Sequence, residues 1–358
     1  MRTRKTSASV VLLAATAVVT LTVGPAAADP PFTPDSSDLV GVGSDTTQDV
    51  LTALATGYNA RKPAPADRLA SWNATGSKTI VPAKGCQAIP RPDGSGAGIA
   101  ALKADRSGCL EFARSSRAAT PADTGLRFVP FAADAVSWVK AGTSNAPVSL
   151  SRAELRDVYT CAKRRWNQVG GTSSATIIPV LPNQKSGTRA FFLTAISATT
   201  TPVTPGRCVV NGVRPGGNVL VQENDARELT RALPTGGRAA NALLPYSVAK
   251  YVFQGKPRTI SPLRGNSGIG NIDAIARTDN PDPVSGRRTS TSNTEALNTT
   301  FTARFRRQVF NVLKLQGSAV PAKFAPVFGR GGYICSGAGD AIVRGQGFGV
   351  LPQGSCGY

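Results

Sequence analysis

Three times along this chain a turn built from glycine and small hydroxyl residues stands where an apolar strand pattern ends and a helical pattern begins. That repeated unit constrains the fold more than any other feature. Leu39-Val-Gly-Val-Gly43 enters Ser44-Asp-Thr-Thr47, with a helix predicted over Gln48 to Tyr58. Asp93-Gly-Ser-Gly-Ala-Gly98 opens a second helix carrying Ile99, Leu102 and Ala104. Ile177-Ile-Pro-Val-Leu181 runs through Asn183-Gln-Lys185 into Ser186-Gly-Thr188 and a helix from Arg189 to Ile196. Strands alternating with helices predict an α/β fold with largely parallel sheets. Further strands are expected at Leu110–Phe112, Arg127–Ala132, Val136–Val139 and Gly347–Leu351. Ser151 and Glu154 have the spacing of a capping box for a helix through Tyr159. Tyr246, Ser247 and Tyr251 fit another strand-to-helix unit, and the spacing of Phe305, Val309, Val312 and Leu313 predicts a helix over Arg304 to Leu315.

Such turns are suited to anions. The first N–H groups of a helix have no intrahelical partner, the macrodipole places positive potential there, and small side chains admit a ligand closely. One hydroxyl at a helix start is ordinarily a plain N-cap. Three such turns in one chain point to a shared oxyanion site.

The chain has 358 residues, with Lys and Arg numbering 41 against 21 Asp and Glu, and no histidine. Catalysis through Ser-His-Asp or Cys-His, and zinc held by histidine, are therefore excluded. Met1-Arg-Thr-Arg-Lys5, the apolar run Val10 to Val23 and Pro25-Ala-Ala-Ala28 read as a signal peptide (1–28) cleaved after Ala28. The apolar run is shorter than the ~20 residues of a spanning helix. No cysteine flanks the cleavage point, so a secreted, extracellular protein without a lipid anchor is expected. Removal of the leader leaves a net charge of +17. Cys86, Cys109, Cys161, Cys208, Cys335 and Cys356 all lie beyond it, and an even number in an exported chain argues for disulfides. Neighbour pairing, Cys86–Cys109, Cys161–Cys208 and Cys335–Cys356, is favoured because each pair closes a Gly/Pro-rich segment. No metal site or cofactor is expected.

The order of motifs resembles the phosphate-binding, extracytoplasmic substrate-binding proteins of ABC transporters. The resemblance is carried by Gly41-Val-Gly43-Ser44, Gly94-Ser95-Gly96, Phe112 to Ser115, Ala133-Asp134-Ala135-Val136, Leu150 to Asn167 and Ser186-Gly187-Thr188-Arg189. It implies a two-lobed, hinged α/β fold of the type II periplasmic-binding-protein-like class, monomeric, without enzymatic activity. Phosphate or a related oxyanion would be held between the lobes, and an ABC permease would be the partner. The first lobe is placed at 38–128 plus 290–358 and the second at 129–289. On this resemblance Ser95 and Gly96 belong to the first-lobe anion turn, and Ser186, Gly187 and Thr188 to the second-lobe turn. Asp45-Thr46 stands where the family has Thr-Phe, which leaves Thr46 and Thr47 as candidate donors beside Ser44. Ser115 matches a serine next to the site. Ser116 occupies the position of the family's aspartate, the acceptor of the phosphate proton, and Asp45 is a candidate replacement. Pro182-Asn-Gln-Lys185 replaces a segment that carries arginine and aspartate in the family, so Lys185, Arg189 and Arg114 are candidates for the missing positive charge.

Two other readings compete. Lys163-Arg-Arg165 beside Trp166 and Arg304-Phe-Arg-Arg307 are basic runs with an aromatic residue, but an aromatic content of 6% and export argue against a nucleic-acid partner. The same charge suits a secreted protein held against anionic cell-wall polymers. Ser247-Val-Ala-Lys250 with Thr278-Asp-Asn280 matches two of the three elements of S-x-x-K serine hydrolases, and the K-T-G element is missing.

Overall fold

The computed structural model describes residues 29–256, 263–273, 282–286 and 294–358. The expected leader, Thr278-Asp-Asn280 and much of the Gly/Pro-rich stretch 257–286 lie outside the described residues.

Ten strands form one mixed sheet among the described residues. They are β1 (Leu39–Gly43), β2 (Leu69–Ser71), β3 (Phe112–Ser115), β4 (Leu126–Lys140), β5 (Ser149–Ser151), β6 (Ile178–Leu181), β7 (Val210–Asn211), β8 (Ala242–Ser247), β9 (Gly268–Asp273) and β10 (Arg306–Lys314). Their order is β2-β1-β3-β10-β4-β8-β6-β7, with β9 pairing both β4 and β5. The helices that bear on the site are α1 (Gln48–Asn59), α2 (Ser95–Ala104), α3 (Arg152–Tyr159), α4 (Gly187–Ala195) and α5 (Val248–Gln254).

The sheet is organised by β4, which joins the two strands expected at Arg127–Ala132 and Val136–Val139 into a single strand. From Leu126 to Ala135 it pairs antiparallel with β10. From Val136 to Lys140 it pairs antiparallel with β8 instead. The change of partner divides the molecule into two lobes. In the first, Leu39, Val50, Leu54, Phe112, Val309 and Leu313 pack on one side of the sheet, and Val40, Val42, Ile99, Leu102 and Val312 on the other. In the second, Trp138, Leu155, Tyr159, Trp166, Phe192 and Phe301 form one core, and Val139, Val180, Leu229, Leu244 and Tyr246 the opposite one. Covering both faces explains why β1 is buried throughout and reads as a continuous apolar run.

Several expectations hold closely. The helix after Ser44-Asp-Thr-Thr47 spans Gln48–Asn59, and Ser151 and Glu154 form the reciprocal capping box of α3. The cysteines pair as Cys86–Cys109, Cys161–Cys208 and Cys335–Cys356. Others do not hold. The segment expected to be helical over Arg304 to Leu315 is mainly strand β10, because Val309, Phe310 and Val312 favour a pleated surface and it lies between β3 and β4. Its apolar residues fit helical spacing only because the strand is covered on both faces. The sheet is mixed rather than largely parallel, since β10 and β4 run antiparallel to their neighbours. The strand expected at Leu110–Phe112 begins at Phe112. Gly347–Leu351 contributes a single bridge, Gly349 to Ala133, in place of a strand.

Candidate functional site

The strand-to-helix turns of β1, β3 and α2 in the first lobe meet the turn from β6 to α4 in the second. Their hydroxyls converge. Ser44 Oγ donates to Ser116 Oγ at 3.1 Å, and Ser95 Oγ lies 3.2 Å from the same oxygen while accepting from the Ser116 amide at 3.0 Å. Thr46 Oγ1 and Thr188 Oγ1 meet across the lobes at 3.1 Å. Ser44, Thr46, Thr47, Ser95, Ser116, Ser186 and Thr188 are all at most 2% exposed. Thr47 Oγ1 is buried without a hydrogen-bond partner.

The approach of the lobes is close because the turns carry glycine. A Cβ on Gly187 would fall 2.2 Å from Ser95 Oγ and 2.4 Å from Ser116 Oγ. Gly94 has φ of 99°, in the left-handed region, and a Cβ there would meet Lys185 O at 2.6 Å. The Gly96 amide donates to that same carbonyl at 2.9 Å. Asn224 Nδ2 bridges the lobes to Asp45 Oδ2 at 2.9 Å and Thr46 Oγ1 at 3.1 Å, and Gln222 Nε2 reaches Asp93 Oδ2 at 3.0 Å.

Charge enters the cluster from residues that sequence reasoning did not assign to it. Arg307, on the inward face of β10, donates from Nη2 to Thr188 Oγ1 at 3.1 Å and to Asp134 Oδ2 at 2.8 Å, and from Nη1 to Ser116 O at 2.9 Å. Asp134 also accepts from Ser247 Oγ and the Ala249 amide at the start of α5. Glu223 Oε2 accepts from Ser186 Oγ and from the Thr188 amide. Burial pushes the Asp45 carboxyl up to about 7 against the pull of the Lys250 ammonium, with the Glu223 charge adding to the rise. Burial likewise raises Asp93 to about 6.

The predicted residues divide into those gathered here and those used elsewhere. Ser44, Asp45, Thr46, Thr47, Ser95, Ser116, Ser186, Gly187 and Thr188 meet in the cleft. Arg114 does not face into it: its guanidinium donates to Gly43 O, Ser44 O and Ser71 Oγ, bracing the first turn from behind, and burial lowers its pKa to about 10. Ser115 points the other way along β3 and donates to Arg117 O. Arg189 donates to Pro182 O and Asn211 Oδ1, fixing the β6 and β7 loops. Lys185 has an exposed side chain and docks the lobes through its carbonyl. None of these three cations is the one in the cluster. Arg307 is, although in the sequence it reads only as part of the basic run Arg304-Phe-Arg-Arg307. Strand alternation turns Arg306 outward and Arg307 inward.

The competing constellations are taken apart by the same geometry. Trp166 and Phe305 are fully buried, so neither basic run presents an aromatic surface. Ser247 caps α5 and donates to Asp134, whereas Lys250 Nζ pairs with Asp49 on α1. A cavity of about 420 Å³ lies on the outer side of α2, walled by Ile89, Pro90, Ala97, Ala101 and Leu110. It is apolar and apart from the hydroxyl cluster, and convergent polar groups place the candidate site in the cleft.

Residues 29–304 match the family model described as the PBP superfamily domain. The chain belongs to the PBP superfamily. Comparison with curated proteins gives no match. Among solved structures, an ABC-type phosphate transport receptor from Vibrio cholerae aligns over 88% of this chain and 100% of its own, with 18% identity and a TM-score of 0.53. A protein from Clostridium perfringens described as a phosphate ABC transporter substrate-binding protein, solved with bound phosphate, aligns over the same shares with 17% identity and a TM-score of 0.53. Similarity at this level shows the fold: two α/β lobes of the PBP type.

Proposed function

We propose that this PBP-superfamily chain is an exported receptor that closes its lobes over a tetrahedral oxyanion, phosphate foremost, and delivers it to an ABC-type permease. The observation that carries the reading is the meeting of the Ser186-Gly187-Thr188 turn with Ser95 and Ser116 across the cleft. Hydroxyls and helix-start amides from both lobes are the donors a tetrahedral anion needs on opposite sides. Thr47, Ser95, Ser116, Ser186 and Thr188 supply the donors, Arg307 the positive charge, and Asp45, disposed by burial to keep its proton near neutral pH, a further polar group within the first turn. The hinge is taken at the change of partner along β4, Ala135/Val136, a few residues beyond the expected boundary between 38–128 and 129–289, and the return to the first lobe after Phe305 rather than at 290, since Phe301 and Phe305 pack in the second-lobe core. Export with cleavage after Ala28 agrees with three paired cysteines, which suit an oxidising compartment. The phosphate named for both relatives supports the choice of anion.

Isothermal titration with phosphate and with sulfate tests the reading. Saturable 1:1 phosphate binding is expected in the wild type and lost in Ser186→Ala/Thr188→Ala, with a stability cost of about 2 to 4 kcal/mol from the lost cap and the lost bonds to Glu223 and Arg307. Folded protein that takes up neither anion, or a double variant of unchanged affinity, contradicts it.

A further inference from the structure

Glu223 lies in the second-lobe turn from Val221 to Asp225, and that turn is held from several directions. The Asn183 amide donates to Val221 O at 2.9 Å, while Tyr246 Oη and Gln254 Nε2 donate to Asn224 O at 2.5 and 2.9 Å. Asn224 itself has φ of 56°, a left-handed conformation that asparagine tolerates better than most residues. From this fixed turn the Glu223 side chain reaches the start of α4, where its Oε2 accepts from the Ser186 hydroxyl and from the Thr188 amide at 3.2 Å. A carboxylate is favoured there by the same amides and the same positive potential that favour phosphate. Glu223 Oε1 is buried without a hydrogen-bond partner, as is Thr47 Oγ1. The pocket therefore has more polar capacity than its own groups satisfy. The Glu223 charge also acts across the cleft, where it helps to raise Asp45 and Asp93.

We propose that the Glu223 carboxylate is an internal occupant of the oxyanion seat at the start of α4, and that an entering tetrahedral oxyanion must take Ser186 Oγ and Thr188 N from it. The proposal rests on the oxyanion reading of the cleft. Uptake is then an exchange of one charge-assisted set of bonds for another, so affinity follows the difference between them. Release is eased because the donors regain a partner when the anion leaves. Glu223 in this role is a specificity-determining residue: a ligand must compete better than a carboxylate for one hydroxyl and one amide, which favours multiply charged tetrahedral oxyanions over monocarboxylates.

The test is calorimetric titration of inorganic phosphate into wild type, Glu223→Gln and Glu223→Ala at one pH and ionic strength, with folding checked by circular dichroism. Removing the competing charge is expected to tighten phosphate binding about tenfold or more in both variants. Binding that is equal or weaker in the variants overturns the proposal and leaves the oxyanion reading standing. Failure of all three proteins to bind phosphate overturns both. In the unsubstituted chain labelled with ¹³C-glutamate, the Glu223 carboxyl signal is expected to shift on saturation with phosphate, and a signal that stays in place overturns the exchange even if neither variant folds.

Discussion

Gly187→Ala separates closure of the lobes from the folding of either one. The added methyl would sit 2.2 Å from Ser95 Oγ, 2.4 Å from Ser116 Oγ and 3.0 Å from Ser95 Cβ, all of them first-lobe atoms. Unbonded heavy atoms are most comfortable at ~3.5 to 4.0 Å, and the two serines are tied together by the Ser116 amide at 3.0 Å from Ser95 Oγ. The lobes must therefore part locally by about 1 Å or more. Parting strains the 3.1 Å contact between Thr46 and Thr188 and the 2.9 Å bond from the Gly96 amide to Lys185 O. Overpacking costs ~1 to 3 kcal/mol and a loosened hydrogen bond about 1 more, a total near 2 to 4 kcal/mol against closure. Phosphate affinity should then fall roughly 30-fold to several hundred-fold. Within the second lobe the substitution replaces glycine by the better helix former at the first turn of α4, so the melting temperature should not fall. Calorimetry gives the affinity, and small-angle scattering gives a larger radius of gyration at saturating phosphate. An alanine variant that binds within about twofold of wild type would refute the claim that closure brings Gly187 against Ser95 and Ser116.

Two further outcomes follow from the charged groups. The Asp45 carboxyl sits at about 7 in the folded chain against an ordinary 3.8, so the folded state holds a proton that the unfolded state releases. Its contribution is therefore intact below about pH 4 and is lost as pH rises to about 7, a loss of roughly 4 kcal/mol at most. Asp45→Asn should flatten urea-denaturation stability across that window, and a slope identical to wild type would count against a buried, proton-holding Asp45. Arg307→Met leaves the Asp134 carboxylate buried with only Ser247 and Ala249 to answer it, and should cost about 3 kcal/mol or more, with Asp134→Asn/Arg307→Met recovering part. Stability of the single variant within about 0.5 kcal/mol of wild type would show that the pair is not a buried one.

Much of the site was legible because its residues lie in local motifs. Ser44 to Thr47, Ser95 and Ser186 to Thr188 each stand at the start of a helix whose periodicity can be read without any long-range contact. The Ser151–Glu154 box is local in the same sense. What sequence reasoning missed depends on pairing between distant strands. Arg307 faces inward only because β10 inserts between β3 and β4, and the spacing of Phe305, Val309, Val312 and Leu313 satisfies a helix as well as a strand buried on both faces. Glu223 and Asn224 sit in a loop whose value comes from Tyr246, Gln254 and Asp45, residues up to 179 positions away. Arg114 was the natural candidate cation beside Ser115, yet from β3, paired between β1 and β10, its guanidinium turns behind β1, where three first-lobe oxygens satisfy it.

Arsenate offers the most direct test of the central claim, since it has the shape and charge of phosphate and scatters anomalously. In crystals grown with arsenate, one anomalous peak should lie between the lobes, within hydrogen-bonding distance of Ser95 or Ser116 on one side and of Ser186 or Thr188 on the other. A well-occupied peak outside the cleft, with the hydroxyl cluster unchanged, would contradict the account.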